Sequence, residues 1–512
     1  MPTELVEIRP LEAQRDFETV SNLHVDGDKG QGRGKTLGKL AQNKTKIVCT
    51  IGPASESQQV MEQMLLAGMN VARLNFSHGD FESHKRVIDT LRSASRATGQ
   101  RVAIMADLSG PKMRIGKLKE EPVELKAGDP FTLTTQELIG DARRVSVSFS
   151  RLPNAVKPGD ALYLNDGFIQ LEVARVQGEE VQCKVVVGGE LRSRKGLNLP
   201  DIDLGITAFT ERDRECLRFA MEQGVDAVSQ SFVESAKDID AVRRAAKELG
   251  QSPFIIAKIE RSRALDRFQE ILDSADGIMI ARGDLGVEVP IEKIAFIQKD
   301  LMRKANMRGK PVITATQMLE SMTTYRRPTR AEATDVANAI LDGADAVMLS
   351  GESAMGHYPV ESVTMLAKIA AAIEPHRHRL TVEEMFKGVD LRGKLRTAHL
   401  IALGVEASLE YASPAAVFAH TKTGATARDL ARLRPPVWIV AVSSQESTCQ
   451  ALQFSYGVHP VHEGEYPEDW TAYARKWVKE NRLEGQLVIL TEGPSDKHPE
   501  ANHRMELVEL KG

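Results

Sequence analysis

Eight short apolar runs, each leading into a stretch of helical periodicity, constrain the possible fold of this chain more than any other feature. Three come early, IVCTI, VARLNF and VAIMADL, separated by the helical stretches SESQQVMEQMLLAG and FESHKRVIDTLRSASRATG. Five more follow a long interruption: DAVSQSF, FIIAKIE, GIMIA, PVITATQ and DAVMLSG. Such alternation implies a parallel sheet. Runs this apolar are buried on both faces, and eight of them suit a closed (β/α)8 TIM barrel.

The interruption, Lys112 to Asp201, has a different grain. VELKAGDPFTL, RRVSVSF, DALYLND, FIQLEVARV and EEVQCKVVV are short, alternating and divided by Gly, Asp and Pro turns, which predicts a small β-barrel inserted after the third strand. Inserted in a strand-to-helix loop, it stands over the barrel mouth. From about Arg377 the runs AAVFAHT, VWIVAVS and QLVILTEG with intervening helices predict a small open α/β sheet, read as a regulatory domain. The expected division is therefore 1–43 extension and linker, 44–111 with 202–376 barrel, 112–201 inserted β-barrel, and 377–512 C-terminal domain.

Lys258 and Glu260 stand two apart at the end of FIIAKIE, so a pleated strand turns both to one face, and Asp284 follows the next run in the same way. Strand C-terminal ends in such a barrel converge on the mouth where active sites are built. One cation and two carboxylates there suit Mg2+, which takes one or two carboxylates and leaves room for substrate phosphate. Each carboxylate taken singly also reads as a helix cap. In NVARLNFSH, Arg73, Asn75 and Ser77 alternate with Leu74 and Phe76, and an Arg and Asn in a buried strand read either as a mouth position binding phosphate, the favoured reading, or as structural pairing.

Other features narrow the function. A net charge of −4 and a pI near 6.4 leave no basic footprint for nucleic acid or anionic membrane. Cys49, Cys183, Cys216 and Cys449 are far apart with no metal spacing, which fits reduced thiols in a cytoplasmic protein. The N-terminal residues have no signal-peptide core, and no run reaches the length of a membrane span. GDKGQGRGKTLGK imitates a phosphate loop, but Lys29 stands where its first Gly belongs and no strand precedes it, so it reads as linker. In Thr421 to Thr426 a strand ends in hydroxyls and a Gly before ARDLARL, which reads either as a cap or as backbone amides free to hold a phosphate.

AKIE followed by GIMIARGDLGVEVP resembles pyruvate kinase, which passes a phosphoryl group from phosphoenolpyruvate to ADP. The likeness extends through TKIVCTIGPAS (45–55), MNVARLNFSHG (69–79), ATQMLESM (315–322) and MLSGESA (348–354), leaving only the first forty or so residues outside it. The resemblance implies a moving lid, a homotetramer, and Mg2+ as cofactor with Mn2+ able to substitute. It implies that Arg73 binds the phosphate of phosphoenolpyruvate, and that Asn75, Ser77 and Asp107 match monovalent-cation ligands. His78, Arg114 and Lys195, with Asn75, match nucleotide-contacting positions. Lys258 is assigned to the transferring phosphoryl, Glu260 and Asp284 to Mg2+, and the backbone of Gly283 and Asp284 with Thr316 to the carboxylate and enolate. Water near Thr316 and Ser350 is expected to relay the final proton. Relatives bind sugar-phosphate activators at the loop matching Thr421, Thr423 and Thr426, so a phosphorylated effector is expected there.

Two departures stand out. Many relatives carry Lys after the eighth strand where this chain has Met355, which bears on nucleotide preference. Potassium-requiring relatives have Thr, Lys and Glu where this chain has Leu108, Ser109 and Lys112, and relatives that dispense with K+ tend to carry Leu and Lys at the first and last. A Lys112 ammonium serving the monovalent-cation position removes the need for K+. Holding both cations about 4 Å apart at an effective dielectric near 20 costs on the order of 4 kcal/mol. The plain alternative is a solvent-exposed Lys at the hinge into the lid. Two rival functions remain: a Mg2+-dependent aldolase or lyase, which has no use for nucleotide residues, and a silent metabolite sensor, which has no use for Lys258, Glu260 and Asp284.

Overall fold

The computed structural model describes residues 40–377, 397–465, 467–493 and 503–510. The Gly-rich stretch read as linker lies outside them. The eight runs form strands Lys46–Thr50, Val71–Asn75, Ala103–Leu108, Ala227–Gln230, Phe254–Ile259, Gly277–Ala281, Val312–Ala315 and Ala346–Leu349. All neighbours are parallel and the first pairs with the eighth, closing the barrel.

Burial explains the uninterrupted apolar runs. Val48, Val71, Met105, Ile256, Met279, Ile313 and Met348 fill the barrel interior, while Ile47, Cys49, Ala72, Ile104 and Ile255 pack outward against the helices. Local sequence sets where those helices begin and end. Phe81–Thr98 starts on a reciprocal Asp80–Ser83 capping box and stops at Gly99, whose φ of 67° suits a residue without Cβ. Thr329 and Glu332 open Arg330–Asp342 in the same way.

The insertion departs from the barrel and enters the following helix Glu211–Glu222. It is a curled half-barrel, not a fully laddered one. Its six strands run in the order Leu197–Asn198, Ala161–Leu164, Ile169–Gln177, Glu180–Val187, Pro130–Thr134, Arg144–Ser146, with Val123–Leu125 and Gly189–Leu191 as a separate pair. The edge strands are two and three residues long, too short for a continuous ladder. Single bridges close the gap through one segment, Arg114 to Gly196 and Ile115 to Val147.

Among the described residues the C-terminal sheet has five strands where three were expected: Val458–His462, Trp438–Ser443, Ala416–His420, Leu487–Glu492 and the antiparallel Arg504–Glu509. The two extra strands form its edges. Pro460 in one and the charged RMELVE of the other disguise them in sequence, and both devices are typical of edges. This domain seals the strand N-terminal end of the barrel. Phe454 is fully buried in the barrel-interior cluster, its ring 5.3 Å from that of Phe254. Arg434 grips Asp345 with both Nη atoms, at 2.7 and 2.6 Å. The strand C-terminal end is thereby the open mouth of the barrel interior among the described residues.

Candidate active site

Asp107, on the last turn of the pleat in the third strand, is the anion around which the mouth is assembled. Register places Asn75 and Ser229 beside it on the flanking strands. Its Oδ2 accepts from Arg73 Nη2 at 2.5 Å and its Oδ1 accepts from Ser229 Oγ at 2.6 Å. Lys258 Nζ lies 3.8 Å from the same Oδ1. Burial alone raises such a carboxyl, but Arg73 and Lys258 outweigh it and hold Asp107 at about 2. It is a fixed negative charge.

Lys258 is 9% exposed. Its ammonium donates to Ser231 Oγ at 2.7 Å and stands 3.2 Å from Glu260 Oε2. Burial works against the charge, yet Asp107, Glu260 and Asp284 together keep its pKa above the ordinary value. A dry, permanently cationic lysine is what a transferring phosphoryl group requires. Glu260 is the opposite case: burial, then the nearby Asp284, raises its pKa against the pull of Lys258.

The two carboxyl oxygens of Glu260 are not equivalent. Oε1 accepts the Phe232 N–H at 2.7 Å; Oε2 is buried and faces the Lys258 ammonium at 3.2 Å. A carboxylate oxygen has more than one lone pair, so Oε2 can face the Lys258 ammonium and a divalent cation together. Asp284 stands exposed in the first turn of helix Arg282–Glu288, rather than at the strand end where sequence put it. Its charge acts on both Lys258 and Glu260. Two carboxylates with water and substrate completing the shell match Mg2+.

Backbone strain is stored around the mouth. Phe232, Thr316 and Gln317 have φ of 60°, 69° and 52° without being glycine, each costing about 1–3 kcal/mol. The strain aims polar groups. It turns the Phe232 N–H to Glu260, and it sets Thr316 Oγ1 to accept from Gly283 N–H at 2.9 Å. Gly283, Asp284 and Thr316 thus form one wall. Ser350 follows the eighth strand, its amide donating to Glu352 Oε2 at 2.8 Å.

At the rim the strand stops at Asn75, so Ser77 sits in a turn rather than on the strand face expected for it. Asn75 Oδ1 accepts the Ser77 N–H at 3.1 Å. Ser77 Oγ is 2.7 Å from Ser109 Oγ and accepts from Lys112 Nζ at 2.6 Å. Desolvation, then Lys258, lowers the Lys112 pKa. His78 is lowered by burial and by Lys112, Arg114 and Arg73. Arg114 donates to the Arg194 carbonyl within the lid, and the neighbouring Lys195 carbonyl accepts the Ile115 amide. Both lid residues stand outside the hydrogen-bonded mouth cluster.

Thr421, Thr423 and Thr426 lie at the far end of the barrel. Thr421 Oγ1 accepts the Gly424 N–H at 2.9 Å, and helix Ala425–Ala431 is short. Thr423 and Lys422 line a cleft of about 840 Å³ between the C-terminal domain and the strand N-terminal ends, with Arg92, Arg96, Arg243 and Arg428 among its walls.

Sequence reasoning missed Thr50, which accepts from Arg73 Nη1 at 2.9 Å, and Ser229 and Ser231. The signal was present: three polar residues inside DAVSQSF are unusual in a buried strand unless they have partners.

Comparison with known proteins agrees with this fold. Residues 42–363 match the family model for the pyruvate kinase barrel domain and residues 400–504 that for its alpha/beta domain. The chain is 50% identical over 423 residues to the pyruvate kinase of Thermococcus litoralis, covering 82% of this chain and 89% of the relative. It is 42% identical over 460 residues to that of Staphylococcus saprophyticus, covering 88% and 78%, and 42% identical over 458 residues to pyruvate kinase 2 of Synechocystis, covering 88% and 76%. Among the described residues no helix is long and apolar enough to cross a membrane. With a cationic lysine between paired carboxylates at a barrel mouth and both family domains matched, the chain belongs to the pyruvate kinase family, the enzymes that convert phosphoenolpyruvate and ADP to pyruvate and ATP.

Proposed function

We infer that the mouth residues divide the reaction as follows. Arg73 binds the phosphate of phosphoenolpyruvate, and Lys258 neutralises the phosphoryl group as its bond to the enol oxygen breaks and its bond to the ADP terminal phosphate oxygen forms. Phosphoryl transfer needs little covalent help and depends on positioning and charge. Glu260 and Asp284 hold Mg2+, with Mn2+ able to substitute; the ion supplies Lewis-acid charge stabilisation. Gly283, Asp284 and Thr316 hold the carboxylate and enolate, and water near Thr316 and Ser350 delivers a proton to carbon. Asn75, His78, Arg114 and Lys195 serve the nucleotide. The observation that carries this reading is Lys258 fixed between Asp107 and Glu260, 3.8 Å from the one carboxylate and 3.2 Å from the other.

Lys112 supplies the positive charge that K+ supplies elsewhere. Its bond to Ser77 supports this, since Ser77 is one of the cation-position ligands. A phosphorylated metabolite acts at Thr421 to Thr426, supported by the adjoining cleft with its arginines. The enzyme works as a cytoplasmic homotetramer toward pyruvate. A coupled assay for ADP-dependent pyruvate formation, with and without Mg2+, tests the central reading; pyruvate release without ADP overturns it.

A further inference from the structure

Arg261 directly follows the metal-assigned Glu260, and its guanidinium is almost entirely buried, 2% exposed. Burying a guanidinium is expensive unless its donors are satisfied. Here all three nitrogens are engaged, each with a different part of the molecule. Nε donates to Glu234 Oε1 at 3.2 Å, Nη1 to Glu288 Oε1 at 2.9 Å, and Nη2 to the Ile202 carbonyl at 3.1 Å. Glu288 is the last residue of the helix that carries Asp284. Ile202 lies where the chain returns from the lid to the barrel.

We propose that Arg261 is a positioning residue that couples the lid to the two metal carboxylates. Its fork is rigid and planar, so it fixes the three acceptors relative to one another. Through Glu288 it sets where the Asp284 helix stands relative to Glu260. Through Ile202 it makes that spacing depend on the lid's returning segment. A second tie reinforces the first: Arg263 meets Asp203 and Glu234, each at 3.0 Å. The outgoing lid segment is held to the mouth separately, by Lys112 on Ser77. A pair serving stability alone would need only Glu288; the arm to a lid carbonyl links the metal ligands to a part of the chain outside the barrel. The coupling rests on the assignment of Glu260 and Asp284 to the metal, and the test separates the two.

Amide hydrogen exchange on the full chain, with and without Mn2+, reads the coupling without any substitution. Added Mn2+ should slow exchange in residues 201–206 together with 258–264. A return segment that ignores bound Mn2+ overturns the inference. Mn2+ titration followed by the EPR signal of the free ion then compares wild type, Arg261→Lys and Asp284→Asn. Arg261→Lys keeps the charge but loses the fork, and should weaken Mn2+ binding on the order of tenfold, with faster exchange at 201–206. Weakening by Asp284→Asn but not by Arg261→Lys refutes the role of Arg261; weakening by neither refutes the metal assignment and the inference with it. If Arg261→Lys does not fold, the double variant Arg261→Met with Glu288→Met removes both charges from the buried spot, a change such sites often tolerate, and the same criterion applies. If that also fails to fold, the wild-type exchange experiment decides.

Discussion

The Lys112 ammonium donates to the Ser77 hydroxyl at 2.6 Å, joining the segment that leaves for the lid to the turn after the second barrel strand. One positive charge therefore already stands at the position proposed for a monovalent cation. The enzyme should run without K+. Initial rates in K+ and in tetramethylammonium at equal ionic strength, with Mg2+ and nucleotide saturating, should agree within a few-fold; activation by K+ of about tenfold or more sinks the idea. Lys112→Glu should make the enzyme more K+-responsive.

Replacing Lys258 with Met removes a preorganised cation from the line of transfer. Losing one such group costs about a hundredfold or more in turnover. Steady-state kinetics should show that loss while Mn2+ still binds, and a variant within tenfold of wild type would refute the role of Lys258.

Asp284→Asn should weaken Mg2+ activation and phosphoenolpyruvate binding together, because one ion is assigned to both. The measurement is the Mg2+ dependence of KM. An unchanged dependence removes Asp284 from the metal site.

At the far end of the barrel, Thr423 is exposed and Thr426 is half-buried. Substituting both with Glu should abolish activation by sugar phosphates while sparing basal turnover, since the added carboxylates repel an anion. Activation requires a ligand that binds one state better than the other. Activation that survives the double substitution places the effector elsewhere.

Asp226, at the head of the fourth strand, accepts the Ile104 amide at 2.8 Å, and burial pushes its carboxyl up from 3.8 to about 6. A folded-state pKa above the unfolded value means that the protonated form stabilises the fold. That stability is present below about pH 3.8 and is lost as the pH rises through about 6. Asp226→Asn keeps an acceptor without the charge. It should gain stability over wild type by an amount that grows from pH 4.5 to pH 7.5, reaching on the order of 2 kcal/mol. A pH-independent difference in Tm would show that the site does not raise the Asp226 carboxyl.

The sequence by itself determined the barrel, the place of the lid insertion, and the convergence of Lys258 and Glu260. These follow from strand periodicity and chain order, which are local. It did not determine that the lid closes on itself only by single bridges, or that the C-terminal sheet gains two edge strands, because edges are polar and short by physical necessity. Nor did it show that Asp107 is shared by Arg73, Ser229 and Lys258, partners 34 and 122 residues away in the first two cases. The threefold grip of Arg261 is equally invisible, since Ile202 lies 59 residues back and Glu288 lies 27 ahead. A polar residue announces in sequence that it needs a partner, but only closure of the barrel brings distant strand ends within hydrogen-bond reach and decides which partner it gets.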